Sequence, residues 1–156
     1  MGQIQQAVNT TAELCKKWEG FSDRPYICPA GYPTIGYGTV YKPDGTKVTM
    51  QDSPIDKGTA EAWLEVTIVS NLKQVLKASP HLINYPNTLA AITDFVYNLG
   101  IGRYNASTLK RRINQQDWRG SVIELRKWVY GSGKKLLGLI KRREDEVLLV
   151  CSEHQT

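Results

Sequence analysis

Residues 19–39 read EGFSDRPYICPAGYPTIGYGT, and this stretch decides what kind of molecule the chain makes. It opens on a carboxylate, Glu19, and crosses a segment holding Pro25, Pro29, Gly31 and Pro33. Proline fixes φ and removes an N–H, so residues 21–33 cannot be helical and read as a loop. A strand over 34–41 is expected next, then a turn at Pro43-Asp44-Gly45 and a return strand over 47–50. Gly36 and Gly38 lie two apart, on one face of that strand. Glycines there mark close approach, either of a flat ligand such as a sugar or of the hairpin's own packing partners. Folding the loop back over the hairpin gathers Glu19, Cys28 and Thr34 at one cleft. An acid, a thiol and a hydroxyl so gathered point to a catalytic site rather than a core.

Upstream, residues 4–18 place Ile4, Val8, Thr11, Cys15 and Trp18 on one helical face, and Gly20 stops the helix. Glu19 then stands in the last turn, where the exposed carbonyls carry partial negative charge and disfavour its ionised form. A glutamic acid kept protonated near neutrality is what a general acid requires, although a solvated glutamate before a loop is the commoner case. Downstream, Asp56 is a candidate N-cap for a helix carrying Leu64, Ile68, Leu72, Val75 and Leu76 in a stripe, ended by Ser79-Pro80. About twenty helical residues span about 30 Å, the width of a small domain, so this helix joins the hairpin to the remaining helices. Those are expected over 89–99, over 108–114 under a Ser107 cap, over 118–129, and over 137–151 with Ile140, Val147 and Val150 inward. The fold class is therefore α+β in one domain, 1–156. A small β-hairpin lobe (20–55) and a larger helical lobe (1–19 plus 56–156) are joined by the long helix, with the cleft between them.

The 156 residues are 41% hydrophobic and 22% charged, an ordinary globular balance, and carry a net charge of +5. That charge favours a polyanionic partner such as nucleic acid, anionic lipid or acidic wall polymer. Lys110-Arg111-Arg112 is a short basic run with no binding motif around it, so nucleic acid is the weakest of these. No apolar run is long enough for a transmembrane helix, and the first twenty residues lack the apolar core of a signal peptide. Cys15, Cys28 and Cys151 are odd in number and widely spaced, so neither a disulfide framework nor a metal site is indicated. A bond between Cys15 and Cys151 stays open if the first and last helices pack together. His81 and His154 have no neighbouring ligand residue and read as plain surface positions, so no metal is called for.

Glu19-Gly20-Phe21, Tyr26, and Gly31 through Thr39 (GYPTIGYGT) resemble the phage-type lysozymes, glycoside hydrolase family 24. Their signature is a Glu, eight residues, an Asp or Cys, five residues and a Thr, running into TIGYG. Here residues 20–27 separate Glu19 from Cys28, and residues 29–33 separate Cys28 from Thr34. Tyr97-Asn98-Leu99-Gly100, Ser107-Thr108-Leu109, Trp128, Gly133-Lys134, and Gly138-Leu139 through Arg142-Arg143 to Glu146 are similar to helical-lobe blocks of the same enzymes. The resemblance thus covers nearly the whole chain.

It implies a lysozyme-like fold and a phage endolysin that hydrolyses the β-1,4 bond from N-acetylmuramic acid to N-acetylglucosamine in bacterial peptidoglycan, with no cofactor. Glu19 resembles the general acid on the glycosidic oxygen, and Thr34 the residue that helps hold the attacking water. Cys28 stands where many relatives place the aspartate that orients or deprotonates that water. A thiol titrates near 8.5 and an aspartate near 3.9, so thiol and thiolate roles both stay open. Inversion is expected, because the better-known members invert and because Thr34 has little to do in a direct attack. Gly38 is expected to lend backbone groups to the sugar, and Tyr97 and Asn98 to line the cleft. Either Arg142 or Arg143 is expected to pair with Glu19 or a neighbour, and Trp128 to be a core residue. The resemblance further implies a monomer that waits in the host cytoplasm until a holin opens the membrane. Some relatives instead carry an N-terminal signal-anchor-release helix, which residues 1–20 do not resemble. Two rival readings are a lytic transglycosylase, cutting the same bond without water, and a non-catalytic peptidoglycan-binding module.

Overall fold

The computed structural model describes residues 2–155; Met1 and Thr156, the ends of the expected domain, lie outside the described residues. Helix α1 runs Gln3–Glu19 with Ala7, Val8, Thr11 and Cys15 buried on one face and Ile4 exposed. Gly20 ends it at φ 70, a conformation open to glycine, and donates its N–H to Lys16 O. Glu19 is therefore held at a defined helix terminus.

The segment expected to be a loop is a strand. β1 (Ser22–Ile27) pairs antiparallel with β2 (Pro33–Gly36), with Tyr26 opposite Thr34 and Ile27 opposite Pro33. Excluding a helix does not exclude a strand, and in a two-stranded ladder, which is all edge, a proline is tolerated. The ladder's register also slips between Ser22 and Tyr26, so nothing requires a hydrogen bond from Pro25. The expected strand over 34–41 is cut short in turn. Gly36 (φ 65) and Gly38 (φ 77) bend the chain, and beyond β2 only single bridges remain, Ile35 to Thr39 and Tyr41 to Lys47. The Pro43-Asp44-Gly45 turn does form, with Asp44 accepting from the N–H and hydroxyl of Thr46. The two glycines thus do not share a strand face. A Cβ at Gly36 would meet Ala60 Cβ at 3.2 Å, and one at Gly38 would meet Glu19 Oε1 at 2.6 Å.

Asp56 caps α2 (Lys57–Ala78) by accepting from Thr59 N–H at 2.7 Å, and of the expected stripe Leu64, Ile68, Leu72 and Val75 are buried while Leu76, at its edge, is partly buried. The start of α2 packs on β2 while its far end reaches the helices, a span of about 33 Å. After a 3₁₀ turn (Pro80–Asn84), α3 (Pro86–Leu99) is buried continuously from Thr88 to Val96. It is the axis of the molecule: α1, α2 and α7 (Leu137–His154) all pack on it. A helix enclosed on every side reads as apolar all round, and over its buried run 88–96 α3 does so except for two threonines and the fully buried Asp94. Between α3 and α7 come α4 (Ile101–Asn105), α5 (Thr108–Asn114, capped by Ser107), α6 (Trp118–Leu125) and the hairpin β3 (Tyr130–Gly131) with β4 (Lys134–Lys135).

The helical lobe departs from expectation at several positions. The helix expected over 118–129 ends at Leu125; Val129 is buried, but apolar spacing reports burial and not conformation. Ile140 lies on the exposed side of α7, because the inward face of its early turns is occupied by Arg142, Arg143 and Glu146. His81 and His154 are not plain surface groups. His154 stacks on Trp118 at 3.7 Å and shares a hydrogen bond with Thr88, and His81 bonds to the carbonyl of Ile113. None of the three cysteines is in a disulfide, so the Cys15–Cys151 bond left open above is not formed. Trp128 packs against the core, edge-on to Phe95 at 5.4 Å.

Candidate active site

Glu19 leaves the end of α1 and meets the first turns of α7. Arg142 Nη1 donates to its Oε2 at 2.6 Å, while Gly38 is the close neighbour of Oε1. Any side chain at 38 would occupy the space of the carboxyl, which is a steric reason for glycine besides its positive φ. Arg142 turns its other edge to Asp94, with Nε to Oδ2 at 2.9 Å and Nη2 to Oδ1 at 2.8 Å. Burial works against the Arg142 charge, but the two carboxylates outweigh it and hold the guanidinium protonated well above its ordinary range. Of the two candidate arginines, Arg142 is the one on Glu19. Arg143 lies behind it, fully buried, with Nη2 donating to Asn98 Oδ1 at 2.8 Å and to Glu146 Oε2 at 3.0 Å. Its Nε sits 2.8 Å from Glu146 Oε1 but off the hydrogen-bond line, so the pair is held mainly through Nη2. Neither arginine belongs to a solvated basic face.

Cys28 and Thr34 are placed by the backbone of their own loop. The Tyr32 carbonyl accepts from Cys28 N–H at 3.0 Å and from Thr34 Oγ1 at 2.9 Å, and Gly31 N–H closes the loop onto Cys28 O. One carbonyl therefore fixes both residues. Partial desolvation pushes the Cys28 thiol up, but hydrogen bonding to Thr34 and to the N–H groups of Tyr32, Ala30 and Gly31 outweighs it and leaves the thiol below its usual range. The Thr34 hydroxyl has a single proton. With that proton on Tyr32 O, Oγ1 keeps its lone pairs for another donor; turned to sulfur, it would favour the thiolate.

Tyr97 and Asn98 stand at the C-terminal end of α3. The Tyr97 hydroxyl donates to Tyr37 O at 2.5 Å, tying α3 to the turn before Gly38. Burial pushes its phenol well up, helped by the nearby Cys15 and Glu19, so it remains a neutral donor. Asn98, Trp18, Leu136, Leu139 and Arg142 line a cavity of about 370 Å³ that contains Glu19. A groove of about 680 Å³ on the small lobe, between Tyr32, Tyr41 and Met50, is larger but holds no carboxyl, so volume does not identify the chemical centre.

Three further residues belong to this constellation. Tyr26 stands opposite Thr34 in the β1–β2 ladder, so the two share a face. Burial raises its phenol, and the charges of Glu19 and Cys28 add to the effect. Asp94 and Glu146 are both fully buried behind Arg142. An acidic residue inside the apolar run TLAAITDFV was the available signal, because a charge there must find a partner.

A family model described as Phage lysozyme matches residues 16–146. The SAR-endolysin of Bacteriophage PS119 is 34% identical over 130 residues, covering 82% of this chain and 73% of that protein. An endolysin of Acyrthosiphon pisum secondary endosymbiont phage 1 is 33% identical over 140 residues, covering 87% and 91%. Among solved structures, the endolysin from Escherichia coli O157:H7 phage FAHEc1 superposes with a TM-score of 0.78 at 29% identity, over 92% of each chain.

Proposed function

The chain belongs to the phage lysozyme family and is a peptidoglycan-hydrolysing endolysin, and we propose that it cuts the β-1,4 bond between N-acetylmuramic acid and N-acetylglucosamine with Glu19 as general acid and a water held by Cys28 and Thr34. The observation that carries this reading is the Glu19 carboxyl held beside Gly38, two residues beyond the strand that carries Thr34. A carboxyl sits on Arg142 at the end of α1, and a thiol–hydroxyl pair is pinned to Tyr32 O.

In this mechanism Glu19 passes its proton to the glycosidic oxygen as the bond to C1 breaks. The ring left behind carries oxocarbenium character. Thr34 Oγ1, its own proton on Tyr32 O, accepts a hydrogen bond from the water and turns a water lone pair toward C1. Cys28, with its lowered thiol, takes the water's second proton when it starts as thiolate, and its negative charge faces the developing positive centre. Attack from the face opposite the leaving group inverts C1. Gly38 offers backbone groups to the sugar, and Tyr97 and Asn98 line its path. The net charge of +5 draws the protein to stem-peptide carboxylates, an attraction that salt weakens.

The whole chain acts as one catalytic domain and a monomer, which reaches the wall from the host cytoplasm once a holin opens the membrane. Among the described residues no helix is long and apolar enough to cross a membrane.

Digestion of purified peptidoglycan with mass analysis of the fragments tests the reading. Hydrated reducing-end muropeptides are expected from the native protein and almost none from Glu19→Gln. Anhydro products would make it a transglycosylase, and binding without products would make it a wall-binding module.

A further inference from the structure

Arg142 poses a problem for the chemistry just described. An opposite charge within hydrogen-bond distance favours the ionised form of a carboxyl, and an ionised Glu19 has no proton to give. We propose that Asp94 is the counterweight: a positioning residue whose carboxylate grips the far edge of the Arg142 guanidinium and offsets its charge, so that Glu19 can carry a proton at the pH of the reaction. This rests on the reading of Glu19 as general acid.

The geometry suits Asp94 to be a permanent anion. It lies in the buried run of α3, and both α1 and α7 supply donors to it. Arg142 Nε and Nη2 approach from α7 at 2.9 and 2.8 Å, the Cys15 thiol donates from α1 at 3.4 Å, and Glu146, also on α7, hydrogen-bonds to it. A carboxylate has about four acceptor positions, and here four donors fill them. Two carboxyl groups bonded to each other hold one proton between them. Asp94 has the bidentate guanidinium, so the charge stays on Asp94 and the proton on Glu146. Burial opposes the ionisation of both groups; Arg142 overcomes it for Asp94, whereas Glu146 is pushed well up.

The remaining charges do not replace this arrangement. The Arg143 guanidinium is shared among Glu146, Asn98, the Trp128 carbonyl and the face of Phe95 at 5.2 Å. Around Glu19 the other titratable groups are Tyr97 from α3, Cys15 from α1, and Tyr26 and Cys28 from the β1 side. The first three are neutral at the pH of the reaction, and Cys28 belongs to the opposite side of the cleft. Lys17 is occupied by Asp145 at 2.7 Å on the rim. Among the described residues, the carboxyl groups paired with Arg142 are Glu19 and Asp94.

The test is a ¹³C NMR titration of the Glu19 carboxyl alongside the pH profile of kcat. Asp94→Asn keeps the shape and removes the charge. It is expected to lower the Glu19 midpoint by about one pH unit and to move the alkaline limb of kcat equally, about a tenfold loss above the limb. Adding Arg142→Gln makes the pair neutral, and should bring the Glu19 midpoint to or above that of the native protein and restore alkaline-side activity. An unmoved midpoint in an Asp94→Asn protein that melts normally would overturn the proposal, as would a uniform loss of kcat at every pH. Where Asp94→Asn alone does not fold, the neutral pair decides, and a Glu19 midpoint below the native one sinks it. The NMR midpoint is read without turnover, so an active Glu19→Gln would remove the general-acid reading while leaving the effect of Asp94 on Glu19 separately judged.

Discussion

The two sides of the cleft are held by opposite means. On the helical side, Glu19 is fixed by charges: Arg142 touches it, Asp94 grips Arg142, and Glu146 and Arg143 stand behind, all of these supports nearly or wholly buried. On the hairpin side, Cys28 and Thr34 are fixed by the backbone, through one shared carbonyl at Tyr32, with Cys28 at the exposed turn between the strands and Thr34 buried on β2. In a low-dielectric interior every charge is matched to its neighbours, and replacing one unbalances the rest. In a solvated loop the backbone sets position and leaves the identity of the side chain freer. The contrast gives a physical reason for the side chain at position 28 to be the more freely exchanged one, while Glu19 is locked to Arg142.

This contrast makes the helical side the sensitive one. Glu19→Gln is expected to lower kcat on peptidoglycan by about 10³-fold, within the range for removing a general acid, with a melting temperature close to native because the amide oxygen still accepts from Arg142. Arg143→Met leaves Glu146 and Asn98 without their buried donor and should cost about 1 to 3 kcal/mol for each unsatisfied group, read as a lower urea midpoint at unchanged slope. Gly38→Ala joins the two sides. It combines a left-handed backbone with a Cβ 2.6 Å from Glu19 Oε1, and should cost about 1 to 3 kcal/mol of stability and displace the acid. Its kcat should fall far more than the stability loss explains, since a misplacement of about 1 Å can cost 10²-fold.

On the hairpin side the effects should be smaller and appear in the pH profile. If the working form of Cys28 is the thiolate, activity is present above its titration and is lost as pH falls through it. The lowered thiol value places that acid limb below the usual thiol range. Cys28→Asp should carry the limb several units lower, toward the usual aspartate range, with kcat at neutral pH kept within about tenfold. Cys28→Ser should abolish the limb. An acid limb that ignores both substitutions would mean that Cys28 only orients the water. A Cys28→Asp loss as deep as that of Glu19→Gln would erase the difference between the two sides.

Much of this was legible before folding. Caps at Asp56 and Ser107, stops at Gly20 and Gly100, and the buried stripe of α2 follow from residue chemistry within one or two turns, and each appears where expected. The hairpin was read one strand too late. The Pro/Gly content of 21–33 excludes a helix, and only the pairing partner decides that Ser22–Ile27 is a strand and not a loop. Ile140 and Val129 misled for a related reason: apolar spacing signals burial on some surface, and which surface exists depends on the neighbours.

The sequence by itself determined the order of elements and the spacing that puts Glu19 at a helix end and Cys28 and Thr34 across a tight loop. Those are local consequences of backbone sterics and hydrogen bonding over a few residues. Only the tertiary structure decided that Arg142, 123 positions from Glu19, is its partner, and that Asp94, 48 positions from Arg142, shares it. Charge pairing falls with separation in space and is indifferent to separation along the chain. It becomes definite only once α1 and α7 have packed on α3 and excluded water from the space between them.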